Sequence, residues 1–113
     1  LIIDEFGGWE RFQALLRTLA EIGAGYGVEP SAVAIRFILD QPQVAAVISG
    51  ATRLGQMRRN AQAFSFALSP EEGARIRMLI DQAPGPLGDV FELERDRDGP
   101  HGRIMKYDLN RDL

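Results

Sequence analysis

The residues best suited to chemistry in this chain lie together in Ser49-Gly50-Ala51-Thr52-Arg53-Leu54-Gly55-Gln56-Met57-Arg58-Arg59-Asn60. Glycine lets a ligand approach backbone N–H groups that a side chain would screen. Thr52 offers a hydroxyl, Arg53 a planar fork of donors, and Gln56 and Asn60 carboxamides one helical turn apart. From position 41 to 70 every charged residue is an arginine, although the whole chain has a net charge of −3. The start of a helix presents free N–H groups and the positive end of its dipole, so cations gathered there suit a phosphate. A merely solvated helix face explains the imbalance less well.

The surrounding sequence must position these groups. Val44–Ile48 is apolar, too short for a helix, and bounded by Pro42 and Gly50, which predicts a short buried strand. Beyond Thr52, Leu54, Met57, Ala61 and Phe64 recur at three and four, so a helix is expected with these on one face. Arg53, Gln56, Arg59 and Asn60 then share the neighbouring face. Upstream, Trp9, Phe12, Leu15, Leu16, Leu19, Ile22 and Tyr26 mark an amphipathic helix of about five turns. Gly25 and Gly27 bracket its end, and Trp9 and Tyr26 are expected in the core. A second helix begins at Pro30, turns Val33, Ala34, Phe37 and Ile38 inward, and stops at Pro42. Downstream, Ser69, Pro70 and Glu72 spell an N-cap, a first helical residue and a capping-box partner. That helix has Ile76, Leu79 and Ile80 as its apolar stripe, with Arg75 and Arg77 outward. Residues 1–7 read either as a strand remnant or as a loop.

From Pro84 the pattern changes to Pro/Gly breaks and mixed charge, so residues 84–113 are expected to form an extended C-terminal arm. Phe91, Leu93, Ile104, Met105, Tyr107 and Leu109 would anchor it on the protein surface or on a partner. His101 is the only histidine and the chain has no cysteine, which argues against a metal site and rules out a disulfide framework. No membrane span or signal-peptide pattern is visible, and a cytoplasmic location is the expectation. Helix, glycine turn, helix also describes a DNA reader. Its candidate recognition helix has Arg36 as its one base, flanked by Glu29 and Asp40, and the pI is about 5.1. Nucleic acid is therefore not an expected partner.

The run V-I-S-G-A-T-R-x-x-Q-M-x-x-N resembles the last barrel strand and following helix of the aldo-keto reductases, commonly V-I-P-G-A-x-x-x-x-Q-x-x-x-N. Val28–Pro42 is similar to that family's G-x-x-P-A-Q-V-A-L-R-W-L-L-x-Q-P, and Phe66–Glu72 resembles its L-S-x-E-E helix start. The resemblance implies an α/β protein, the C-terminal part of a TIM (β/α)8 barrel over residues 1–83. In isolation such a piece should be mostly α-helical with one short buried strand. A complete barrel runs to roughly 250 residues or more, so the chain would hold about the last third of one. Its opening Leu-Ile-Ile, without an initiator methionine, fits a piece of something longer.

By the same resemblance, Ser49, Gly50, Ala51, Thr52, Arg53, Gln56, Arg59 and Asn60 would hold the adenosine 2′-phosphate and adenine of NADP(H). Two departures stand out: Ser49 where proline is usual, and Arg59 where the family often has glutamate. The family reduces carbonyls with a tyrosine acid tuned by lysine, aspartate and usually histidine, all from the first half of the barrel. Here Tyr26 falls on an apolar face, Tyr107 in the tail, and Lys106 is the only lysine. No catalytic set is expected within this chain, and the small carbonyl or alcohol substrate belongs to the intact protein. A lone barrel strand would leave an open edge, so the piece by itself is expected to self-associate. The alternative is a stand-alone helical interaction module without catalysis.

Overall fold

In the computed structural model, residues 1–105 are described. They form α1 (Ile2–Glu5), α2 (Trp9–Tyr26), α3 (Pro30–Leu39), α4 (Leu54–Ala61), α5 (Pro70–Asp81) and α6 (Val90–Arg95). Single 3-10 turns follow α4 at Gln62–Phe64 and α6 at Gly102–Ile104. Tyr107 and Leu109, expected as anchors of the arm, and Lys106 lie outside the described residues.

The core is where α2, α3 and α5 meet. Leu19 and Ile22 of α2, Val33 and Phe37 of α3, and Ile76 of α5 are buried in one cluster. Leu15, Val28, Phe66, Leu68 and Ile80 close around it. Helical periodicity selects these positions, but it also turns Ile38 inward, which is exposed, and passes over Ala32, which is buried. Burial in the cluster is the main force holding the three helices together. Gly27 ends α2 in the left-handed conformation at φ 68°, which a residue without Cβ adopts at least cost. The more constrained glycine is Gly23: its carbonyl accepts from the Val28 N–H, and a Cβ there would stand 2.6 Å from the Val28 oxygen. At α5, Ser69 Oγ accepts from the Glu72 N–H at 3.2 Å, and Glu72 Oε2 accepts from the Ser69 N–H at 2.8 Å. That reciprocal pair is the capping box the sequence spells.

Several expectations are corrected. Residues 44–48 form no strand, nor does any other stretch of the described residues, and Ile48 is fully exposed. A strand exists through its neighbours' hydrogen bonds, and here no second extended segment runs beside this one. The apolar stripe of α4 is likewise uncovered: α4 has no buried residue, with Met57 61% and Phe64, just beyond it, 75% exposed. Trp9 is exposed and leans on Phe12, whose ring centroid is 6.2 Å away. Tyr26 is also partly exposed and stacks on Phe66 at 4.7 Å. Arg75 and Arg77 point outward but have partners: Arg75 pairs with Glu21, and Arg77 lies over the Phe37 ring and bonds to Gln41. Residues 2–5, read as strand or loop, are a helical turn.

Beyond α5 the chain includes α6, capped by the Asp89 carboxylate on the Phe91 N–H. It then meets α1 again, where His101 Nε2 lies 2.7 Å from Glu5 Oε1. No helix of the described residues is long and apolar enough to cross a membrane. They also contain no cluster of three or more metal-ligating side chains.

Candidate functional site

α4 is short and its first turn is held from within. The Gln56 side-chain oxygen accepts from the Thr52 N–H at 2.9 Å, the Thr52 hydroxyl at 3.1 Å and the Arg53 N–H at 3.2 Å. With its oxygen committed to the turn, Gln56 keeps its amide N–H donors for a ligand. Arg53, in extended conformation, is the N-cap residue, and its carbonyl accepts from Gln56 and Met57. The next two N–H groups, of Leu54 and Gly55, have no partner among the described residues. One turn on, Asn60 Nδ2 donates to Ser49 Oγ at 3.3 Å, tying the end of the extended segment to the helix.

The structure therefore brings together Ser49, Thr52, Arg53, Gln56 and Asn60. Gly50 and Ala51 are exposed in the connection, with Ala51 on the wall of the apolar groove between α3 and α4. Arg59 runs back along α4, its Nη1 within 3.5 Å of the place a Cβ on Gly55 would take. Among the described residues no carboxylate pairs with Arg53, Arg58 or Arg59. Arg58 was not singled out from the sequence, although the all-arginine window around it already contained the signal. Free N–H groups at a helix start, amide donors and unpaired guanidinium groups together fit a phosphate dianion. Thr52, Leu54, Gly55 and the three arginines are exposed and Gln56 and Asn60 half-buried, so the turn is open to an anion from solvent.

Beside this polar end, Ile35, Leu39, Val47, Met57 and Phe64 line an open apolar groove of about 540 Å³ between α3 and α4. Ser49 and Asn60 stand at its rim. The side chains with displaced titration lie elsewhere. The Ser69 N–H and then the Tyr26 hydroxyl hold the Glu72 carboxyl below its ordinary value, and the bond to Glu72 raises Tyr26. That pair joins α2 to α5 and does not line this groove, so it reads as a structural contact.

Comparison with known proteins places these features in context. Residues 3–81 match the family model described as "Aldo/keto reductase family". Two curated proteins, both called Protein tas, from Escherichia coli (strain K12) and Shigella flexneri, are each 30% identical to the chain over 70 residues. The match covers 62% of this chain and 20% of each relative, so the chain spans about one fifth of their length. No solved structure matches it.

Proposed function

The chain belongs to the aldo/keto reductase family, and from that premise we propose that it is the C-terminal portion of an NADP(H)-dependent carbonyl or alcohol oxidoreductase. Family membership implies a (β/α)8 barrel, with residues 1–83 as its last part and 84–113 as a C-terminal arm. In this reading the first turn of α4 takes the adenosine 2′-phosphate. Arg53 forks onto the phosphate, the Leu54 and Gly55 N–H groups and the Thr52 hydroxyl lie within reach of its oxygens, and Gln56 donates from its amide. Asn60, held by Ser49, faces the adenine, and Gly50 and Ala51 leave the approach open. Arg59 stands where the family often has an acid and adds positive charge on the phosphate side. When bound, the coenzyme supplies the hydride; this chain's residues bind and orient its adenosine end. The acid that protonates the substrate lies outside this chain.

The observation that carries the reading is the committed Gln56 oxygen, which fixes Thr52 and Arg53 against α4 beside arginines that have no acidic partner among the described residues. Calorimetric titration tests it. The chain is expected to bind NADPH more tightly than NADH, and Arg53→Ala to remove about 1.5–3 kcal/mol of that preference. Equal affinity of the unaltered chain for both coenzymes would end the reading.

A second reading, self-association of the piece, is supported by the uncovered Ile48, Leu54, Met57 and Phe64. Fully burying one such side chain is worth about 1.5–3 kcal/mol. Sedimentation is expected to give a dimer at micromolar concentration and no turnover of aldehydes by the purified chain. A stable, cooperatively folding monomer would contradict self-association and favour a stand-alone module over a piece of barrel.

A further inference from the structure

With no buried residue of its own, α4 is not fixed by hydrophobic burial. Its anchor is the turn that continues it, Gln62–Phe64, where Ala63 is fully buried. The Ala63 carbonyl accepts from Arg36 Nη1, reaching across from α3 at 3.5 Å. Arg36 Nη2 meanwhile bonds Asp40 Oδ1 at 2.5 Å, and its Nε is buried without a partner.

As a stabilising device this is poor. The bond to Ala63 is at the outer limit of useful length, and a desolvated donor left unpaired is unfavourable. A methionine of similar length would fill the space without that cost. What the guanidinium supplies is direction. It sets a cation, itself steadied by Asp40, at the C-terminal end of the α4 unit, where the helix dipole leaves negative charge.

We propose that Arg36 is a positioning residue for the α4 site: it fixes how α4 sits on α3, and so where Gln56, Arg59 and Asn60 point. The consequence for coenzyme binding rests on the reading above; the seating of α4 does not.

The test compares Arg36→Met and Arg36→Lys with the unaltered chain by thermal unfolding, residue-level amide exchange and NADPH titration. Arg36→Met is expected to unfold at or above the original temperature. Its exchange at residues 58–61 should nevertheless rise about tenfold while α2 and α5 stay unchanged, and NADPH affinity should fall by about the same factor. Arg36→Lys, which keeps the charge, should recover part of both. Unchanged exchange in α4 would overturn the proposal. So would exchange raised equally in every helix, or loss of the fold in Arg36→Met, since either makes Arg36 a general stabiliser. If the unaltered chain bound no NADPH, the coenzyme reading would fall, and the exchange profile alone would judge Arg36.

Discussion

Two regions of similar apolar content end in opposite situations. Around Val33 and Ile76, side chains of α2, α3 and α5 interlock until both residues are essentially without solvent contact. From Val44 to Phe64, comparable side chains lie open, Ile48 and Phe64 among them. The difference lies in the source of the covering surface. The three helices that cover one another all lie within this chain, α5 included, whereas an extended barrel segment needs strands on both sides and helices over its faces. The first region is self-sufficient, and the second carries the candidate chemistry on a surface that the described residues leave open.

Paired substitutions sharpen that contrast most strongly. Ile76→Ala should cost about 2–5 kcal/mol, the range for emptying a close-packed core position. Met57→Ala should stay within about 0.5 kcal/mol, as at exposed sites without special roles. Denaturant unfolding of both variants checks it, and a comparable loss from Met57→Ala would break the contrast. A smaller effect is expected at the edge of the core. Ser69→Ala removes the N-cap of α5 and should cost about 1 kcal/mol, read from the same transition.

The smallest effect expected is a pH dependence. Glu72 titrates below the ordinary value of 4.5, so its contribution is complete above that value and is lost as pH falls through the lowered one. Tyr26 titrates above 10.0, so its contribution is complete below that value and is lost as pH rises through the raised one. The Tyr26–Glu72 bond should therefore help between these limits and fade at both ends. Because the pair is exposed, the effect is small. Tyr26→Phe should flatten the alkaline edge of a melting-temperature profile, and an unaltered edge would show that the bond contributes nothing there.

How much of this was legible beforehand follows the same division. α2, α3 and the capped start of α5 could be read because periodicity and caps act within a few residues. The buried strand could not, because an apolar run reports a need for covering without saying whether the covering is present. Trp9 has the right helical phase, yet it lies in the first turn of α2, outside the cluster that buries Leu19 and Ile22, and its ring leans on that of Phe12. Gly25 attracted notice beside Gly27, while the close approach at Gly23 depends on where Val28 folds back. In the site, Arg53 and Gln56 have capping-box spacing, but arginine is not a capping side chain. The role of Gln56 in closing the turn emerged only with its three hydrogen bonds.

The contact between Glu5 and His101 has a consequence for the order of assembly. It joins residues 96 positions apart, whereas α2 and α3 meet across a turn of a few residues. Loop-closure entropy grows with the logarithm of the intervening length, so early pairing of these two ends would meet the largest entropic resistance of any hydrogen bond among the described residues. Once α2, α3 and α5 have docked, most of that length is already spent. The hydrogen bond then closes a short remaining gap, and it is a late event that marks the end of folding rather than its nucleus.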